Sequence, residues 1–214
     1  EPNDGGMSRL GRTLVEKLNA SHMLVDVSHA SARTAADAAA ASQQPVIASH
    51  TGARAISGHA RALPDEVLKA IADRGGYVGV VILPAFIVRT DDDRAVKLGK
   101  PAGWATLDAV VDHVVHLVNV IGKDHVGIGT DWGKPYYSAL TWNADMVNEP
   151  TAGFDWVGWR PQDRFDPNNQ VIDMETWDKW PNLTAAMLRR GLPEETVIAI
   201  VGGNFLRVFR DVCG

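Results

Sequence analysis

The sequence has little of what several protein classes require. Its 214 residues contain a single cysteine, Cys213, which excludes a disulfide framework within the chain and a zinc site built from cysteine thiolates. No apolar run approaches the roughly 20 residues that a membrane-spanning helix needs. Lysine and arginine number 21 against 26 acidic residues and are scattered, so a net charge of -5 offers no basic surface for nucleic acid. What is left is an ordinary globular composition, 45% hydrophobic, with enough length to bury a core.

The start of the chain is polar. It reads EPNDGG, which is loop-like, lacks an initiator methionine and does not resemble a signal peptide. We therefore expect either a processed N-terminus or a fragment of a longer protein. Neither this start nor the single thiol indicates a compartment.

Extended and helical patterns alternate along the chain. Four short apolar, β-branched runs are predicted as strands, at 23–28, 45–49, 77–83 and 125–130. Helical spacing is found at 8–22, 31–44, 63–76, 106–122, 183–191, 193–202 and 204–212. Strands that alternate with helices predict an α/β protein with a parallel sheet of βαβ units. Four such units amount to half of a β/α barrel or to a small open sheet.

One long stretch, 132–178, has no regular pattern. It holds five of the seven tryptophans, Trp132, Trp142, Trp156, Trp159 and Trp177. We expect an irregular insert within a single domain that spans 1–214. Loops that follow strands set substrate choice in β/α barrels, so the insert is expected to shape the pocket.

Two histidines follow successive predicted strands in matching positions. His29 stands directly after 23–28, His50 directly after 45–49, and Asp131 follows the last predicted strand. The carboxyl ends of barrel strands meet at one rim, where catalytic residues collect. Neutral imidazoles bind zinc and similar ions well, so we predict that His29 and His50 share a metal ion. Two ligands are an incomplete set, because catalytic zinc takes three from the protein; the alternative is that each histidine only caps a strand or helix.

Several other polar residues have two interpretations. Asp131 could orient or deprotonate a metal-activated water, or it could cap a turn. Arg61 could hold a substrate carboxylate with its guanidinium, or lie at the surface. Asp26, inside the first predicted strand, could support the metal ligands from behind or pack within the barrel. His113 and His116 have an i, i+3 spacing that can bind metal, but we expect them to flank a packed face.

Five segments, in order, resemble the C-terminal half of the renal (membrane) dipeptidase family. They are LVDVSHAS, PVIASHTGARAISGHARALPDE, HVGIGTDWG, WPNLTAAMLRRG and GGNFLRVF. Only the stretch 132–178 has no counterpart. The family comprises metal-dependent dipeptidases of the amidohydrolase type, built on a β/α barrel. The resemblance therefore implies about strands 5–8 of a (β/α)8 TIM-type barrel and the hydrolysis of dipeptides or similar small amides.

The resemblance also implies roles for individual residues. The family binds two zinc ions bridged by a glutamate, and His29 and His50 match the pair of histidines that holds one of them. Arg61 matches an arginine that contacts the substrate. Asp131 matches an aspartate beside the bridging water, which carries its proton during hydrolysis. The family's D-F-D-G-like context reads DWGK here, so its second acidic residue is absent.

The rest of the family's site has no match in this chain. The resemblance places an H-x-D pair, the bridging glutamate and a further substrate-contacting histidine in the N-terminal half, and we find none of them here. Four strands would also leave two unpaired sheet edges. We therefore expect a missing N-terminal half or a second chain to complete the barrel, and a homo-oligomer is another possibility. Alternative functions are a related metallohydrolase acting on another amide, ester or lactone, and a non-catalytic barrel half that serves as a subunit.

Overall fold

Four parallel strands form one sheet in the structure, a computed structural model that describes residues 4–132 and 169–214. They are β1 (Val25–Asp26), β2 (Val46–Thr51), β3 (Tyr77–Val80) and β4 (Val126–Ile128). The strands lie side by side in chain order, each hydrogen-bonded to the next. A doubly wound sheet reverses its strand order at one point, whereas a barrel adds strands in one direction. The uninterrupted order is therefore that of part of a β/α barrel.

Helices precede, connect and follow the strands. They are α1 (Arg9–Ala20), α2 (Ala32–Ala41), α3 (Arg54–Ser57), α4 (Asp65–Ala72), α5 (Pro84–Ile87), α6 (Arg94–Lys97), α7 (Leu107–Ile121), α8 (Pro181–Arg189), α9 (Glu194–Ile198) and α10 (Asn204–Cys213). Ser8, Ser31 and Thr106 precede α1, α2 and α7, and each hydroxyl oxygen accepts a backbone N–H from the first turn. No helix within the described residues is long and apolar enough to cross a membrane.

The sheet is packed on both faces toward the amino ends of its strands. Val46 and Ala48 of β2 are fully buried in the main core, together with the helices that connect the strands. Because side chains alternate along a strand, Ile47 points the other way, where it packs with Tyr77 and with α10. Strands buried on both faces explain the nearly continuous apolar runs in the sequence.

Side-chain hydrogen bonds hold helix α10 at the amino ends of the strands. Asn204 Nδ2 donates to two backbone carbonyl oxygens around the start of β4, both at 2.7 Å. Arg207 donates to the carbonyl oxygens of Gly75 and Asp124 at 2.9 and 3.0 Å. The GGNFLRVF segment therefore packs at one rim of the sheet, and the predicted site residues lie at the other.

The predicted strands and helices are confirmed in type and order. Most are shorter than predicted, but β2 extends to Thr51 and so includes His50, and α10 is one residue longer. The connections contain three four-residue helices, α3, α5 and α6, which the sequence patterns did not predict. Most of the predicted insert falls outside the described residues. Residues 169–178, at the end of the insert, are described. The carbonyl oxygen of Gln170 in this part accepts the backbone N–H of Ala105, which lies just before α7, at 3.0 Å. The extent of the domain stays a prediction.

Candidate active site

Residues from three different strand ends meet at the carboxyl-end rim. His29 lies just after β1, His50 lies near the end of β2, and Asp131 follows β4. The Nε2 atoms of His29 and His50 are 3.0 Å apart. Asp131 Oδ2 lies 3.9 Å from His50 Nε2. The structure thus brings together the three residues that the sequence placed at equivalent strand ends.

The separation of the two imidazole nitrogens fits two ligands of one ion. Zinc–nitrogen bonds of about 2.0–2.1 Å at tetrahedral angles place two ligand atoms about 3.3 Å apart. The observed 3.0 Å is close to that separation. Within 4–132 and 169–214, however, no group of three or more His, Cys, Asp or Glu side chains could hold a metal. The described donors therefore fit part of a metal site and not a complete one.

A bulge in β2 directs His50 toward the rim. The pairing of β2 with β3 shifts register around Ser49 and His50. Gly79 and Gly129 face this bulge, and a Cβ at either position would collide with the carbonyl oxygen of Ser49. Glycine is required because three backbones approach one another closely here.

Asp131 has a left-handed backbone conformation, with φ at 54°. Aspartate is one of the few residues besides glycine that adopt this region readily. The conformation turns the chain directly after β4 while the carboxylate faces His50. Its side chain is 40% exposed, so solvent can reach it.

An aromatic cluster follows Asp131. The Trp132 ring makes edge contacts with Trp177 and Trp180, at centroid distances of 4.8 and 6.0 Å. The backbone N–H of Trp132 donates to Thr130 Oγ1 at 3.3 Å. The cluster thus joins the chain after β4 to the segment just before α8, next to the predicted site.

The surroundings of His50 favour its neutral form. Burial lowers the pKa of His50 and outweighs the opposite effect of Asp131. The positive charge of Arg61 and the neighbouring His29 add to the lowering. A neutral imidazole retains a lone pair for a metal ion or a proton.

Arg61 lies beside the two histidines. Its Nη2 donates to the carbonyl oxygen of His50 at 3.3 Å. Its guanidinium carbon lies 5.9 Å from the centre of the Phe86 ring, which is within reach of a cation–π contact. Burial lowers the pKa of Arg61 and the carboxylate of Asp131 counters it, but a guanidinium stays protonated in proteins. The position is suited to a substrate carboxylate at the same rim.

Asp26 anchors a network behind His50. Its Oδ1 accepts the backbone N–H and the hydroxyl of Ser28 at 3.0 and 2.7 Å, and the backbone N–H of Ser49 at 3.1 Å. Its Oδ2 accepts the Ser49 hydroxyl at 2.6 Å. Burial raises the pKa of Asp26, but these hydrogen bonds outweigh burial and lower it. Ser49 Oγ in turn lies 2.8 Å from His50 Nδ1.

Neither Ser28 nor Ser49 is predicted from the sequence as a site residue. The available signal was the repeated Ser-His pair, at 28–29 and again at 49–50. Serine is common at strand and helix ends, so only the fold shows that both hydroxyls share one carboxylate.

Three other histidines have separate partners. His113 is fully buried, and both its ring nitrogens bond to backbone groups. His116 Nε2 lies 2.8 Å from Asp65 Oδ1. His125 Nδ1 lies 2.9 Å from the carbonyl oxygen of Gly76, at the amino-end rim. His113 and His116 thus bond to different partners, and His113 packs in the core, as expected of residues that flank a packed face.

Comparisons with known proteins place the chain among peptidases. Residues 1–141 and 149–213 match the model of the membrane dipeptidases, peptidase family M19. The chain is 33% identical over 212 residues to dipeptidase tcpJ of Claviceps purpurea and 29% identical over 212 residues to dipeptidase aclJ of Aspergillus oryzae. Each match includes 99% of this chain but 40% of the relative. The chain therefore spans about two fifths of the length of these curated relatives.

Solved structures have the same fold. An amidohydrolase from Pseudomonas aeruginosa matches at a TM-score of 0.76 with 30% identity, and the match covers 98% of this chain and 58% of that one. A metallo peptidase from Rhodobacter sphaeroides, liganded with a phosphinate mimic of the dipeptide L-Ala-D-Ala, matches at 0.71 with 23% identity. That match covers 97% of this chain and 47% of the other. The described sheet and helices correspond to about half of a TIM barrel.

Proposed function

The chain belongs to the membrane dipeptidase family, peptidase family M19, and on that basis we propose that its site serves the metal-dependent hydrolysis of dipeptides or similar small amides. The observation that carries this proposal is the convergence of His29, His50 and Asp131 at the carboxyl-end rim. Active sites of β/α barrels lie at this rim. The named relatives are dipeptidases, which favours a dipeptide-like substrate.

Zinc is the proposed metal, with His29 and His50 as ligands through Nε2. When bound, zinc polarises a carbonyl oxygen and lowers the pKa of water into the neutral range. The resemblance noted above implies two such ions and a bridging glutamate. That glutamate and the remaining ligands have to come from outside the described residues.

Asp131 is the proposed proton carrier. Its carboxylate is exposed at the rim and faces His50, where it can accept a proton from the attacking water and return it to the departing amine. Arg61, at the same rim, is proposed to hold the carboxylate of the substrate through its planar pair of N–H donors.

Metal content tests the proposed ligands. His29→Ala and His50→Ala should each lower the zinc bound per chain, measured by elemental analysis of the purified protein. His125→Gln is the matched control, since His125 bonds to Gly76 at the opposite rim and should leave zinc unchanged. Unchanged zinc in both rim variants would exclude the pair as ligands. A panel of dipeptides, esters and lactones then separates a dipeptidase from a related metallohydrolase, and from a half-barrel without activity.

We also propose that residues beyond this sequence, in a missing N-terminal half or a second chain, complete the barrel. The chain spans only 40% of its curated relatives. In the described sheet, β1 and β4 are each paired on one side. Three apolar side chains of α10 are also exposed, at 37–49%, as expected of a surface that further chain covers: Phe205, Leu206 and Phe209.

Native mass and zinc content, measured on one sample, test this completion together with the metal. A monomer of these 214 residues with full peptidase activity and two bound ions would contradict it.

A further inference from the structure

We propose that Asp26 and Ser49 act as a positioning relay that fixes which nitrogen of the His50 ring carries the hydrogen. The relay consists of the Asp26 carboxylate, the Ser49 hydroxyl and His50 Nδ1. It rests on the proposed function only in taking His50 Nε2 as the atom that meets the metal. The hydrogen bonds of the relay do not depend on a bound metal.

The two serine hydroxyls both donate to Asp26. An ionised carboxylate can only accept hydrogen bonds, and each hydroxyl has one hydrogen to donate. Ser49 Oγ lies 2.6 Å from Asp26 Oδ2, and Ser28 Oγ lies 2.7 Å from Asp26 Oδ1. Both are short, charge-assisted contacts. The hydrogens of Ser28 and Ser49 are therefore directed at Asp26, although the two hydroxyls also lie 2.9 Å apart.

The Ser49 hydroxyl determines where the His50 ring carries its hydrogen. Since the Ser49 hydrogen is directed at Asp26, Ser49 Oγ can only accept at its 2.8 Å contact with His50 Nδ1. Nδ1 must then carry the hydrogen, and Nε2 of the neutral ring has the lone pair. Nε2 is also the atom that lies 3.0 Å from His29 Nε2. The relay thus presents the lone pair at the point where the two histidines converge.

No other described contact of the His50 ring makes this choice. Asp131 Oδ2 lies 3.9 Å from Nε2, which is beyond hydrogen-bond distance. His29 Nε2 can act as donor or acceptor, so it follows the choice made at His50. The backbone N–H of His50 donates to Ser28 Oγ at 3.0 Å and holds the main chain without contacting the ring.

Asp26→Asn gives a sharp test, because it should reverse the relay. Oδ1 of Asp26 receives two backbone N–H groups, so only the carbonyl oxygen of the amide can occupy that position. The amide NH2 then takes the place of Oδ2 and donates to Ser49 Oγ. The freed Ser49 hydrogen has two acceptors within reach, His50 Nδ1 at 2.8 Å and Ser28 Oγ at 2.9 Å. When it donates to Nδ1, the ring hydrogen moves to Nε2.

Nitrogen-15 chemical shifts of the histidine rings report the tautomer directly. The measurement uses the metal-free whole protein at a pH where His50 is neutral, with its signals assigned from His50→Gln. We expect Nδ1–H in the wild type and mainly Nε2–H in Asp26→Asn. Ser28→Ala is the matched control: it removes one hydrogen bond to the same carboxylate, and the acceptor of the His50 backbone N–H, but leaves the relay intact, so Nδ1–H should persist. In the double variant Asp26→Asn/Ser28→Ala the Ser49 hydrogen has no acceptor at Ser28 Oγ, so an Nδ1–H ring there would overturn the proposal.

Zinc affinity provides the second measurement. Loss of a partner behind a ligating histidine typically weakens metal binding by roughly 10- to 100-fold, and we expect this of Asp26→Asn. A changed tautomer with unchanged zinc affinity would mean that the relay exists but His50 is not a ligand, so the proposed function would fail and the relay would not.

Ser49 variants decide the matter if Asp26→Asn does not fold, as judged by circular dichroism. Ser49→Thr keeps the hydroxyl and should keep Nδ1–H. Ser49→Ala removes the acceptor and should give a mixture of the two tautomers. Identical tautomers in the Thr and Ala variants would count against the relay.

Discussion

Burial of His113 is expected to make this protein lose stability over a defined range of acidic pH. The side chain is 0% exposed. Its Nδ1 accepts the backbone N–H of Ala53, and its Nε2 donates to the carbonyl oxygen of Ile87, both at 2.9 Å. A proton added at Nδ1 would face the N–H of Ala53 with no water between them. Burial accordingly lowers the pKa of His113 to about 4.

The size of the effect follows from the two pKa values. The ordinary histidine value is 6.5 and the folded value is about 4. Between them only the unfolded chain binds the proton, so the free energy of unfolding falls as the pH drops from 6.5 to about 4 and is unaffected by His113 outside that range. A gap of about 2.5 units at about 1.4 kcal/mol per unit gives roughly 3 kcal/mol. That is a large part of the total stability of about 5–15 kcal/mol typical of a domain.

Urea unfolding at a series of pH values between 7.5 and 4, compared with His113→Gln, isolates this contribution. Glutamine can keep an acceptor and a donor in the same place but does not titrate. Because the other titrating groups are common to both proteins, the stability lost on acidification should be roughly 3 kcal/mol smaller in the variant. His116→Gln, on the same helix but paired with the side chain of Asp65, should retain the His113 contribution. Parallel curves for the wild type and His113→Gln would refute the reasoning.

Three further substitutions test the site. Asp131→Asn should reduce dipeptide turnover by orders of magnitude with bound zinc unchanged, and turnover near the wild-type rate would exclude Asp131 as the proton carrier. Gly129→Ala should destabilise the fold by about 1 to 3 kcal/mol or more, measured by thermal unfolding, because the added Cβ would collide with the carbonyl oxygen of Ser49. Gly5→Ala, at an open position, is its control, and equal melting temperatures would contradict the close approach. Arg61→Met should raise the KM for dipeptides more than it lowers kcat, whereas an unchanged KM would argue against a substrate contact.

The type and order of the elements could be predicted because apolar, β-branched runs alternate with helical spacing. Where the strands end could not, because tertiary contacts decide it. Strand β1 ends at Asp26, and the carboxylate of that residue takes the backbone N–H of Ser28. The bulge in β2 depends on Gly79 and Gly129, which belong to other strands or their ends.

For the site, the convergence of the two histidines could be predicted from the sequence, but the role of Asp26 could not. Position after successive strands was enough to bring His29 and His50 together, since parallel strands share a carboxyl-end rim. The role of Asp26 was left open because it depends on register: Asp26 pairs with Ile47 across the sheet, which brings Ser49 within reach of its carboxylate. A pattern along one strand carries no information about that neighbour.

The two histidines look equivalent in the sequence, but in the fold His50 has more hydrogen bonds than His29. His50 is held by its backbone N–H on Ser28, by its carbonyl oxygen on Arg61 and by its ring on Ser49. The exposed ring of His29 has His50 as its one hydrogen-bond partner within residues 4–132 and 169–214. A side chain held at several points loses little further freedom on binding an ion, whereas an exposed one has to be ordered at that moment. His50 is thus the preorganised half of the pair, and the orientation of His29 depends on the groups that complete the rim.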